Sequence, residues 1–181
     1  MEKQVWLKEL SEFLVENTHH GWASDENKAE PLLPGWKRHV YLSKRETGLW
    51  IADDNYTGYF RAPGFTLVTY NGKNAWIMQY GGAGMVEGLE NKAKPTFAFL
   101  KKALLSSTPL YPFRGPKYFA AQETSGEEWK YKFYINHGDI TSLSASETIY
   151  NKGIIMFMQD ISASLVLDKD KDRKILEPWN F

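Results

Sequence analysis

Trp6, Leu7, Leu10, Phe13 and Leu14 recur at three- and four-residue spacing, which predicts an amphipathic helix from about Gln4 to Asn17. After His19-His20-Gly21 the periodicity stops. The segment to Gly35, with Pro31, Pro34 and many charges, reads as a long loop of the kind that often carries function. From Lys37 the period falls to two, predicting strands over residues 39–43, 49–54, 58–61, 65–70 and 74–80, separated by turn residues such as Glu46-Thr47-Gly48 and Ala62-Pro63-Gly64. Connections this short favour an antiparallel meander, because a parallel pair needs a crossover of a dozen or more residues.

Residues 81–94, rich in glycine and charge, read as another loop. Pro95 suits the first turn of a second helix, and Phe97, Leu100, Ala103 and Leu104 form its inward stripe to about Ser106. Beyond Pro109 and the Arg114-Gly115-Pro116 corner, strands are expected over 118–122, 128–136, 141–144, 147–151 and 153–167. The tail, 168–181, alternates in charge and reads as solvated, with Trp179 and Phe181 able to fold back onto the body.

The sharpest local signal is the run from Tyr70 to Tyr80, where Asn71-Gly72 supplies the positive φ angles of a two-residue hairpin turn. A weaker copy begins at Tyr150. Setting Tyr70 against Tyr150 also aligns Asn71 with Asn151, Met78 with Met158 and Gln79 with Gln159. Phe13-Leu14 likewise matches Phe99-Leu100, and Trp50 lies near the place of Trp129. The expected fold is therefore α+β: a duplicated helix-plus-meander unit, with halves over about 4–84 and 95–167, forming a curved antiparallel sheet with two helices in one domain, 1–181.

Composition narrows the function classes. The 181 residues carry 22 basic and 22 acidic side chains, interspersed, so no basic field exists to draw a nucleic-acid backbone or an anionic membrane. With no cysteine there is no disulfide scaffold, thiol catalysis or thiolate metal site. The N-terminus lacks the apolar stretch of a signal peptide, and no run approaches the roughly 18 apolar residues of a membrane helix. The expected location is the cytoplasm, and on that reading the Asn55-Tyr56-Thr57 sequon is incidental.

Strand alternation sets Trp76, Met78 and Tyr80 on one face, and Trp50, Ala52, Asp54 and Tyr56 on one face opposite Asp53. Such a face either is core or lines a small-molecule pocket. Within it Asp54 is the candidate acid, with Arg61 as a candidate partner, and Arg114 beside Gly115-Pro116 is a candidate clamp for a carboxylate or phosphate. Gly81-Gly82-Ala83-Gly84 fits neither the dinucleotide pattern nor a phosphate loop, and Glu87 and Glu90 would repel phosphate. The Asp168-x-Asp170-x-Asp172 run has Arg173 where a calcium loop needs glycine, and His19, His20, His39 and His137 lack zinc-ligand spacing. No metal or cofactor is expected.

Several motifs resemble those of one family. They are the run Gly48 to Gly58, Phe60, Gly64, the strand Gly72 to Gly81, Phe99-Leu100 with Ala103-Leu104, and Phe113 to Tyr118. Over residues 8–166 the chain resembles a bacterial domain-of-unknown-function family often found behind an Xre-type helix-turn-helix in transcriptional regulators. The resemblance implies a fold grouping and no reaction. Since no helix-turn-helix precedes residue 8, it also implies that any regulatory role would need a separate DNA-binding partner. The leading expectation is a non-enzymatic small-ligand-binding or sensory module using Trp50, Asp54, Tyr56, Arg61, Trp76, Tyr80 and Arg114. The alternatives are a protein-interaction or homodimerisation module using the same aromatic face, and a small enzyme with an isolated acid.

Overall fold

The structure, a computed structural model, describes residues 1–122, 126 and 128–181. The first apolar stripe forms helix α1, Lys3–His20, which buries Trp6, Leu10, Phe13 and Leu14. The second forms α2, Ala93–Leu104, which buries Phe99, Leu100, Ala103 and Leu104. The strands of the main sheet are β1 (Lys28–Ala29), β2 (Trp36–Arg45), β3 (Gly48–Thr57), β4 (Gly64–Tyr70), β5 (Lys73–Met85), β6 (Tyr118–Gln122), β7 (Glu128–Asp139), β8 (Ser142–Asn151) and β9 (Ile154–Leu165), and Asp168–Lys169 pairs with Ile175–Leu176 in a separate small hairpin of the tail. Among the described residues β1 to β9 pair antiparallel in one nine-stranded sheet of order β1-β2-β3-β4-β5-β9-β8-β7-β6. The fold is thus α+β, and β5 and β9, distant in sequence, adjoin mid-sheet.

One apolar cluster joins the helix stripes to the inward positions of the strands. Phe13 of α1 lies on Trp50 of β3 with ring centroids 5.5 Å apart, and Phe99 of α2 lies on Trp129 of β7 at the same 5.5 Å. The C-terminal tail closes the α1 end, with Trp179 buried at 6.1 Å from Trp6. These contacts leave the space between the two helix footprints for polar side chains.

Four local expectations need correction. Residues 58–61 form no strand; they belong to the irregular connection between β3 and β4. β5 runs on to Met85, with a bulge between Gly81 and Gly84, so the first glycines of the supposed loop are strand. Gly84, at φ +65°, lies against the Phe60 carbonyl, which accepts the Met85 N–H at 2.7 Å, and a Cβ there would collide with it. Residues 141–144 and 147–151 belong to a single strand, β8. The 21–35 loop contains a short turn of helix at Trp22–Ser24 and the strand β1, and is tied to β2 where His39 Nδ1 meets the Glu26 carbonyl at 2.7 Å.

The two hairpins mid-sheet share their geometry at a spacing that differs from the sequence alignment. Asn71 and Gly72, at φ 49° and 79°, close the turn between Tyr70 and Lys73. Lys152 and Gly153, at φ 49° and 81°, close the turn between Asn151 and Ile154. Each turn is followed by a bulge that leaves one residue extra, Ala75 in β5 and Met156 in β9. Equivalent positions are therefore 81 residues apart, as Asn71 and Lys152 are. The alignment of Tyr70 with Tyr150 is one residue out of phase, and one residue in a strand exchanges faces. Accordingly Met78 is buried where Met158 is exposed, and Gln79 is exposed where Gln159 is buried.

Candidate functional site

Along β3 the inward positions run Trp50, Ala52, Asp54, Tyr56. The first two are fully buried, whereas Asp54 and Tyr56 lie past the α1 footprint and face a cavity. Thr66 of β4 and Tyr80 of β5 flank Asp54, and both hydroxyls donate to its Oδ1, at 2.7 and 2.9 Å. Its Oδ2 has no hydrogen-bond partner among the described residues. On the other side of the sheet's midline, β8 turns Leu143, Ala145, Glu147 and Ile149 inward. Glu147 is 0% exposed. It accepts hydrogen bonds from the Tyr131 hydroxyl at 2.9 Å, from Arg114 Nη2 at 3.2 Å, and from Gln159 Nε2.

Arg114 links the two halves of this network. Its guanidinium carbon sits 5.1 Å from the centre of the Tyr80 ring while its Nη2 reaches Glu147. Its Nε is buried without a partner among the described residues. Burial works against the Arg114 charge, but Glu147 and the hydroxyls of Tyr80 and Tyr131 more than offset it and hold its pKa above the usual value. Asp54 goes the other way. Burial lifts its pKa above the ordinary 3.8, more than the bonds from Thr66 and Tyr80 and the Arg114 charge lower it. Tyr56 is pushed up to about 12, by burial first and by Asp54 second. Tyr80 and Tyr131 are raised well above 10, again chiefly by burial. All three phenols are therefore neutral hydrogen-bond donors at physiological pH.

The cavity measures about 130 Å³. Asp54, Tyr80, Arg114 and Gln159 supply its polar wall, and Trp22, Tyr56, Phe97, Leu100 and Phe157 its apolar one. The exposed residues Lys37, Gly58 and Tyr59 form the rim. A second cavity of about 40 Å³ meets the same Asp54 and Arg114 side chains from the α1 side. A larger depression of about 330 Å³, along Gln79, Gly82, Ser144 and Asp160, is a shallow feature of the other sheet face. Tyr80 is its one link to the buried network, and Asp54, Arg114 and Glu147 do not line it.

Of the residues proposed from sequence, Asp54, Tyr56, Tyr80 and Arg114 come together at the cavity. Trp50 and Trp76 do not line it: both are fully buried in the core, and Trp76 donates its Nε1–H to the Ile140 carbonyl at 2.9 Å. Arg61 is exposed in the β3–β4 connection, and Asp54 meets Thr66 and Tyr80 instead. Arg114 clamps a carboxylate, but an internal one, Glu147. Sequence reasoning missed Glu147, Gln159, Trp22 and Lys37. Glu147 carried a usable signal, since it occupies an apolar register position between Ala145 and Ile149. Trp22 carried none, because it lies where periodicity fails.

A family model described as Domain of unknown function (DUF5680) matches residues 54–166. The chain belongs to that family. The match takes in Asp54, Tyr80, Arg114, Glu147 and Gln159, while Trp22 and Lys37 lie outside it. No curated protein and no solved structure matches the chain. Among the described residues no helix is long and apolar enough to cross a membrane, and no group of three or more histidine or acidic side chains could hold a metal ion.

Proposed function

We propose that the domain binds a small organic ligand in the cavity between α2, the 22–24 turn and the inward face of β3, β5 and β9. The observation that carries this reading is the convergence of Asp54, Tyr80, Arg114 and Gln159 on one aromatic-walled space. Pockets of this make-up, mostly apolar with a few convergent polar groups, are what small-ligand sites look like. At about 130 Å³ the space is below the usual range of roughly 300 Å³ and up, and close to cavities that hold a benzene-sized molecule. The ligand is accordingly a single ring or its equivalent. The interaction-module alternative gains less, because Trp50 and Trp76 of the supposed aromatic face are fully buried in the core.

We further propose that the fold is a duplicated unit with the cavity near its internal two-fold. Support comes from the two hairpins with matching turns and bulges, the matching Phe13–Trp50 and Phe99–Trp129 contacts, and the adjacency of β5 and β9. In that frame Thr66 and Glu147 occupy equivalent positions.

A second reading, a small enzyme with Asp54 as an isolated acid or base, is favoured by one observation: burial raises the pKa of a carboxyl that lines a cavity. The ligand reading is tested by screening single-ring compounds by ligand-observed NMR against the full chain and against Ala62→Trp, which fills the cavity from its rim. Compounds that bind the first and not the second are expected. If none distinguishes the two proteins, the reading fails.

A further inference from the structure

The charge pattern around the cavity specifies the kind of ring. Arg114 is matched by Glu147 at 3.2 Å, and the tyrosines around them are neutral. Asp54 is the acid left over: it takes hydroxyl donors on Oδ1, has no ion-pair partner among the described residues, and has no hydrogen-bond partner on Oδ2 among them. The network of Arg114, Glu147 and Asp54 thus carries one negative charge in excess when all three are ionised, and of its two acids Asp54 is the one that lines the cavity.

The aromatic walls favour the opposite sign. Cations are attracted to the faces of tryptophan and tyrosine, more so where water is excluded. Three of the chain's own cations already use cavity rings in this way. Lys37 Nζ stands 5.4 Å from the Tyr56 ring centre and 6.0 Å from that of Tyr59, Lys101 Nζ stands 5.0 Å from that of Trp22, and Arg114 lies over Tyr80. Lys101 is paired with Asp25 and Arg114 with Glu147. Lys37, exposed at the rim, donates to the Gly58 carbonyl at 3.1 Å and has no carboxylate partner among the described residues.

Resting on the ligand-binding reading above, we infer that the cavity selects a small organic cation: a ring-sized group carrying an N–H donor that bonds Asp54 Oδ2, with the aromatic wall around its ring. Phosphorylated and carboxylated ligands are disfavoured, because their charge would meet Asp54 in an enclosed site. Lys37 acts as a resident competitor at the rim, free to swing into solvent when the site fills.

The test is an isosteric charge series, benzylammonium, benzyl alcohol and benzoate, titrated against the full chain and followed by NMR shifts of the Trp22 indole and the Tyr56 ring. Benzylammonium is expected to bind roughly tenfold or more tightly than benzyl alcohol, with benzoate weakest. Asp54→Asn should reduce that ratio toward one, with the retained dispersion of its NMR spectrum showing that the variant is folded. Lys37→Met should strengthen benzylammonium binding severalfold. Benzyl alcohol or benzoate binding as well as benzylammonium, or a ratio unchanged in Asp54→Asn, overturns the inference and leaves the ligand-binding reading standing. If none of the three moves either reporter, while the single-ring screen also fails, both fall together.

Discussion

Tyr80 donates its hydroxyl to Asp54 Oδ1 at 2.9 Å, beside the Thr66 hydroxyl at 2.7 Å, so one carboxyl oxygen carries both bonds and the other has no hydrogen-bond partner among the described residues. Hydrogen bonds to a charged group are worth about 1.5–3 kcal/mol, and a buried acceptor that loses one keeps its desolvation penalty. Tyr80→Phe, which keeps the ring under Arg114, is therefore expected to lower stability at neutral pH by about 2 kcal/mol. It should also raise the Asp54 pKa further. Urea unfolding and carboxyl-carbon NMR titration measure the two effects. An unchanged Asp54 titration would show that the bond does not form.

Asp54 also imposes a direction on the pH dependence of stability. Its folded pKa lies above the ordinary 3.8, so the folded chain holds this proton more tightly than the unfolded chain does. Stability from this group is complete below the ordinary value and is lost as pH rises through the folded value. Asp54→Asn keeps an acceptor for Thr66 and Tyr80 and removes the titration. The wild type should lose stability relative to Asp54→Asn as pH rises from about 4, and the two should differ least in acid. A difference that stays constant across that range would refute the assignment.

Arg114 and Glu147 form the buried pair of the site, with side chains 14% and 0% exposed. Removing one member of such a pair strands the other charge, at about 3–5 kcal/mol, whereas replacing both can cost little. Glu147→Gln leaves Arg114 over Tyr80 without its counter-charge and should cost about 3 kcal/mol. Arg114→Met should be milder, since Glu147 retains Tyr131 and Gln159 as donors. The double variant should be more stable than Glu147→Gln alone. Chemical denaturation of the three variants measures the coupling, and simple additivity would rule out the pair as an energetic unit.

How much of this was legible from the residues depended on whether a feature was periodic. Trp6, Leu10, Phe13 and Leu14 announced α1, and Asn71-Gly72 announced its hairpin, because helix and turn geometry act on neighbours in sequence. Asp54 could be placed on the inward face for the same reason. Glu147 lay equally open to this reasoning, but splitting β8 into two strands hid that it shares a face with Ala145 and Ile149. Arg114 and Trp22 could not be placed. Arg114 meets Glu147 across 33 residues, and Trp22 reaches the cavity from a segment without a period. The one-residue phase error between the hairpins arose because identity of Tyr70 with Tyr150 outweighed the turn, whose positive φ angles belong to Lys152 and Gly153.

Gly115 tests whether the Arg114 corner holds Tyr131 in place, since its N–H donates to the Tyr131 hydroxyl at 3.2 Å. A Cβ on Gly115 would stand 2.9 Å from two Tyr131 ring carbons, closer than real Cβ contacts, and Tyr131 is fully buried and has no space to retreat. Overpacking of this kind costs about 1–3 kcal/mol. In Gly72→Ala nothing stands within 4 Å of the new methyl, yet the backbone is at φ +79°, which by itself costs about 1–2 kcal/mol for a residue other than glycine. The two substitutions should thus destabilise to similar extents by different routes. Gly115→Ala alone should shift the Tyr131 ring resonances and weaken ligand binding, because it levers the hydroxyl away from Glu147. If Gly72→Ala disturbs the Tyr131 resonances equally, the corner has no special hold on Tyr131, and Arg114 is placed by the fold as a whole.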